Sequence, residues 1–127
     1  MQARPPFLAA IIALACAAPA FAQGDPEAGE KVFARCKACH MVGADAKNRV
    51  GPVLTGIVGR EIAAEPEFKY SEAFVAKKAE GFTWTPENIT AYLEDPKGFI
   101  PGNKMAFAGL RKEEDIAHVI AYLQSAE

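Results

Sequence analysis

The apolar positions of this 127-residue chain fall into two patterns. The first is an uninterrupted run, Phe7 to Ala18, behind a lone cation, Arg4; after it comes Ala20-Phe21-Ala22, the small-x-small spacing that a signal peptidase reads. At 16 uncharged residues, Phe7 to Ala22 is short for a membrane span, which needs about 20. Cleavage is therefore expected after Ala22, leaving residues 23–127 as the mature domain. The second pattern has helical spacing. Asp25-Pro26-Glu27 reads as a helix start, with an N-cap acid and Pro at the first helical position. The helix should run from about Pro26 to the cysteines, with Val32, Phe33 and Cys36 on one face. Gly29 costs helix stability and so points to close approach of another element.

From Met41 to Arg60, Gly43, Gly51, Pro52, Gly56 and Gly59 break the pattern too often for a long helix or a central strand. Ser71 can cap a short helix to about Lys78. Thr85-Pro86-Glu87 starts another, carrying Ile89, Tyr92 and Leu93 until Pro96 stops it. Gly98 to Gly109 reads as a second loop. A last helix begins near Lys112 or Glu113, with a buried stripe of Ile116, Val119, Ile120 and Leu123. No alternating strand, repeat or low-complexity linker interrupts this order. The prediction is one small, all-α, loop-rich domain whose own core is too thin to stand alone.

Composition changes the picture once the leader is set apart. Hydrophobic residues make up 50% of the chain, but 17 of its first 22 residues are apolar, so the mature part is less rich. Without Arg4 the charge is about −3, the wrong sign for a nucleic-acid binder. The aromatic content and the lack of long charge blocks exclude a disordered chain.

Losing the leader also removes Cys16 and leaves Cys36 and Cys39. In an oxidising compartment a structural disulfide is expected to close a longer loop. Cys36-Lys37-Ala38-Cys39-His40 reads instead as a c-type haem attachment site. Two thiols at this spacing can each form a thioether to one porphyrin, with His40 presenting its imidazole to the iron. A thioredoxin-like pair would sit at a helix start after a strand, and a zinc site would need two more ligands. Three side chains are chemically able to supply a second iron ligand: Met41, Met105 and His118. Met41 follows His40 directly and cannot reach the opposite face of the same haem. His118 reads as an exposed helix histidine near Glu114 and Asp115. Met105 lies in a long loop.

With these residues in view, the chain resembles the class I c-type cytochromes, closest to bacterial cytochrome c2 and mitochondrial cytochrome c. Beyond the haem motif, the resemblance rests on Gly51-Pro52-Val53-Leu54-Thr55-Gly56 through Gly59-Arg60, Gly81-Phe82-Thr83-Trp84 and Tyr92-Leu93-Glu94-Asp95-Pro96. It continues through Ile100-Pro101-Gly102-Asn103-Lys104-Met105-Ala106-Phe107-Ala108-Gly109 and Ile120-Ala121-Tyr122-Leu123. It implies the cytochrome c fold, with crossing terminal helices built on Gly29, Phe33 and Tyr122 and loops wrapped around one covalent haem c. It implies Met105 as the second axial ligand, the Pro52 carbonyl as acceptor for the other ring N–H of His40, and a Tyr92 hydrogen bond to the Met105 sulfur. Arg60, Tyr70 and Trp84 become candidate propionate donors.

The resemblance further implies a monomeric periplasmic one-electron carrier and not an enzyme. Its donor would be a cytochrome bc1 complex and its acceptor a terminal oxidase or photosynthetic reaction centre. Lys31, Arg35, Lys47, Arg49, Lys97, Lys104, Arg111 and Lys112 would form the cationic docking ring. One departure stands out: Phe74 occupies a position where a small polar side chain is often found.

Overall fold

The computed structural model describes residues 1–2 and 24–126; the proposed leader and its cleavage site lie outside the described residues. Five helices follow in order: α1 (Pro26–Phe33), α2 (Glu72–Ala79), α3 (Pro86–Glu94), α4 (Pro96–Phe99) and α5 (Glu113–Ser125). Among the described residues there is no strand, only an isolated bridge between Glu61 and Thr83, in keeping with the all-α expectation.

Three starts follow from local hydrogen bonding. The side chains of Asp25, Ser71 and Thr85 accept backbone N–H groups of Glu27, Phe74 and Asn88, each satisfying a donor that the first helical turn leaves orphaned. Two boundaries differ from the sequence reading. Regular helix ends at Phe33, not at the cysteines, because the chain tightens there: Ala34, Arg35 and Cys36 donate to the carbonyls of Lys31, Val32 and Phe33. The Cys39 N–H then donates to the Cys36 carbonyl at 3.1 Å, so a further turn joins the two cysteines. Pro96 also does more than stop α3. It opens the one-turn helix α4, capped by the Asp95 side chain, which accepts the Gly98 N–H.

α1 and α5 cross closely. Phe33 and Tyr122 pack with ring centroids 5.2 Å apart, and a Cβ on Gly29 would run into the His118 carbonyl and lie 2.7 Å from the Tyr122 Cβ. The buried stripe Ile116, Val119, Ile120 and Leu123 meets Phe33 there and joins Ile57, Ile62, Trp84, Ile89, Tyr92, Ile100 and Leu110 in one cluster. The same crossing corrects the reading of His118 as exposed. It is half-buried, and its Nδ1 accepts the Asp25 N–H at 2.9 Å, tying the start of α1 to α5.

Gly29→Ala is expected to push the crossing helices apart and to destabilise the protein by about 1–3 kcal/mol, the usual cost of overpacking. A denaturant midpoint unchanged from the parent would refute this close approach.

Candidate functional site

The long loops between α1 and α2 and between α4 and α5 close over an apolar-lined cavity of about 340 Å³. Its wall takes Phe33 from α1, Phe74 from α2, Ile89 and Tyr92 from α3, and Val119 and Leu123 from α5. Cys36, Cys39 and His40 also line it, and so does Met105, which lies far along the chain.

Both thiols are free and half-buried, and burial pushes the Cys36 thiol above its ordinary range, partly opposed by the Arg35 charge. The His40 ring is held from behind: its Nδ1 lies 2.7 Å from the Pro52 carbonyl. With Nδ1–H donating to that oxygen, the Nε2 lone pair is left to coordinate a metal. Burial lowers the His40 pKa and the Pro52 hydrogen bond opposes it; burial is the larger effect, so the ring favours the neutral form a metal ligand needs. A Cβ on Gly51 would collide with the His40 ring, with Nδ1 2.7 Å and Nε2 2.8 Å away. Only glycine lets the backbone pass this close behind the imidazole.

Met105 is placed by residues around it. The Tyr92 hydroxyl donates to its Sδ at 3.8 Å. Burial raises the Tyr92 pKa far above the phenol range, so the proton stays on oxygen and available to the sulfur. The Met105 N–H donates to Asn103 Oδ1 at 2.9 Å, while Asn103 Nδ2 donates to the carbonyls of Pro96 and Ile100 at 2.8 and 2.9 Å. Asn103 is 5% exposed, so this buried amide ties α4 to the segment carrying Met105. Sequence reasoning gave Asn103 no role of its own, although it lies within the Ile100–Gly109 motif two residues before Met105.

The polar end of the cavity is built on Arg60. Its Nη2 donates to Val53 O at 2.9 Å and its Nη1 to Thr55 O at 3.2 Å, with Glu65 Oε2 3.7 Å from Nη1. Its Nε is buried without a hydrogen-bond partner, a donor available to an anionic group entering the cavity. Tyr70 lines the same cavity; its hydroxyl accepts the Glu65 N–H at 3.0 Å and keeps its own proton to donate. Trp84 also lines it, 6% exposed, held by the backbone bond from its N–H to Arg60 O. Pro52, Arg60, Tyr70, Trp84 and Tyr92 therefore share one cavity with the thiols, His40 and Met105.

The eight candidate docking cations are all exposed, but they are not all adjacent to this site. Arg35 and Lys104 line the cavity, with Lys69, which sequence reasoning did not single out. Lys31, Lys47, Arg49, Lys97, Arg111 and Lys112 do not line it. No Asp or Glu lines the cavity among the described residues.

A covalent haem fits these residues. The walls are apolar, two free thiols, an imidazole and a thioether line the same cavity, and an orphaned guanidinium N–H waits for an acid.

Comparison with known proteins agrees. The family described as Cytochrome c matches residues 26–127. The chain is 48% identical over 101 residues to cytochrome c2 of Agrobacterium tumefaciens (strain II Chrys), covering 80% of this chain and 91% of that one. It is 46% identical over 100 residues to cytochrome c-550 of Nitrobacter winogradskyi, covering 79% and 89%. The solved structure of cytochrome c2 from Rhodospirillum centenum superposes with a TM-score of 0.78 at 43% identity, over 82% of this chain and 99% of that one.

Proposed function

The chain belongs to the cytochrome c family, and from that premise we propose that it is a periplasmic one-electron carrier whose haem iron is held between His40 and Met105. Membership brings one covalently bound haem c and makes the protein an electron carrier, not an enzyme. The single observation that carries the finer reading is that Cys36, Cys39, His40 and Met105 all line one cavity.

In this reading Cys36 and Cys39 hold the group covalently. Pro52 fixes the His40 ring and keeps it electron-rich through its carbonyl. Tyr92 and Asn103 position Met105, while Arg60, Tyr70 and Trp84 form the polar end that receives the propionates. The haem would supply a one-electron couple; ligation by the Met105 thioether together with the His40 imidazole would raise its potential and leave no position for dioxygen.

Export completes the reading, with cleavage after Ala22 and no stable membrane insertion of residues 23–127. Among the described residues no helix is long and apolar enough to cross a membrane. The intact mass of the native protein is expected to equal residues 23–127 plus one haem. A mass that retains residues 1–22 would refute cleavage.

As a monomer the carrier would take electrons from a cytochrome bc1 complex and pass them to a terminal oxidase or a photosynthetic reaction centre. The names of its relatives, cytochrome c2 and cytochrome c-550, support the carrier role. Docking would use the exposed cations, centred on Arg35 and Lys104 at the cavity, against acidic partner faces. Raising ionic strength from about 0.01 to 0.15 M shortens the screening length from about 30 to 8 Å. The second-order rate with such a partner is expected to fall at least about tenfold. A rate independent of salt would overturn the docking assignment.

A further inference from the structure

The start of α1 is fastened to α5 through one residue, His118. It meets α1 twice: its ring Nδ1 accepts the Asp25 N–H at 2.9 Å, and its carbonyl lies where a Cβ on Gly29 would go. Gly24 packs equally closely, since a Cβ there would run into the Ala117 carbonyl. Asp25 is the joint between the two elements. Its side chain accepts the Glu27 N–H at 3.0 Å and its carbonyl accepts the Gly29 N–H at 2.9 Å, both within α1, while its own N–H crosses to α5.

An imidazole accepts a hydrogen bond only at a nitrogen that carries no hydrogen. With Nδ1 accepting, the hydrogen of the neutral ring sits on Nε2. A second proton has only Nδ1 to go to, where it would point at the Asp25 N–H, so the ring takes it up by giving up the bond. Histidine is the side chain that makes this change between about pH 8 and 5. The charged and titratable groups around the bond are Asp25, Glu27, Glu30 and Lys31 at the α1 end and Glu114, Asp115 and Tyr122 on α5. The acids among them favour a cation, but among the described residues none comes within ion-pairing distance of the ring.

We propose that the His118–Asp25 bond is an acid-released latch that holds the start of α1 on α5. Protons bind better to the chain with the bond open than with it closed, so the latch contributes its full stability above the histidine range and loses it as pH falls through that range. Phe33 stays packed on Tyr122, so release frees the first turn of α1 and leaves the helix crossing in place.

The test is denaturant unfolding of the haem-loaded parent, His118→Asn and His118→Ala at pH 7.5 and pH 5. Asparagine offers an oxygen acceptor that keeps its lone pairs at both pH values; alanine offers none. Between the two pH values the folding constant of the parent is expected to fall at least about threefold further than that of H118N, the worth of one hydrogen bond, and to approach that of H118A. Parallel falls in parent and H118N, or a parent that gains on H118N in acid, would overturn the latch. If a variant does not accumulate, hydrogen exchange of the parent decides. Protection of the Asp25 amide is expected to drop at least about threefold at pH 5 relative to that of the Ile89 amide, which bonds Thr85 within α3. An unchanged ratio would overturn the proposal equally.

Discussion

A chain in which Cys36 and Cys39 are both replaced by alanine is expected to emerge without covalent haem and, once any loosely held haem is extracted, without a stable helical fold. The cavity of about 340 Å³ sets the magnitude. At about 24 cal/mol per Å³ of enclosed void, leaving it empty costs at most on the order of 8 kcal/mol, an upper bound because water enters the cavity from its open side. That is comparable with the whole stability of a typical domain, about 5–15 kcal/mol. The loss is concentrated where the fold is thinnest: Phe33, Ile89, Tyr92, Val119 and Leu123 belong to the core cluster and also face the cavity, so removing the group strips the core from within. Denaturing mass spectrometry should find the bare polypeptide, and far-UV circular dichroism should show most of the helical signal gone. An extracted variant that keeps native helicity with a cooperative melt would show that the core stands without its cofactor.

Met105→Ala is expected to lower the reduction potential by a few hundred millivolts, a sizeable part of the roughly 0.8 V over which axial ligands move haem potentials. The sulfur favours the ferrous state, and alanine provides no replacement ligand. The ferrous variant should bind carbon monoxide readily, which the parent should resist. The fold should survive. Asn103 still clamps the segment to Pro96 and Ile100, and the helix crossing of α1 on α5 lies elsewhere. A variant with the parent's potential and the parent's indifference to carbon monoxide would remove Met105 from the iron.

What the sequence disclosed depended on how local the cause was. Asp25, Ser71 and Thr85 were legible as caps because each side chain bonds a backbone group within three residues. The apolar stripe of α5 was legible because periodicity is itself the signal for a buried helix face. Asp95-Pro96 carries the same signature as Asp25-Pro26, yet in sequence it marks the end of α3 more plainly than the start of α4, because a Pro that ends one helix can occupy the first position of the next. His118 looked exposed from its own helix; the Asp25 N–H that occupies its ring nitrogen lies 93 residues away.

The candidate site divides in the same way. Cys36, Cys39 and His40 declared themselves by spacing alone. Met105 was one of three chemically possible ligands until resemblance selected it, and only folding brings it into the same cavity as His40. Asn103 and Gly51 went unassigned, since a buried amide clamp and a missing Cβ behind an imidazole exist only once distant segments meet. The orphaned Nε of Arg60 is likewise a property of the folded cavity.

Whether His40 and Met105 together hold the iron of a covalently attached haem is read from the optical spectrum of the purified ferric protein. A weak far-red sulfur-to-iron band is expected at neutral pH in the parent protein. A ferric spectrum without that band would remove one of the two side chains from the iron.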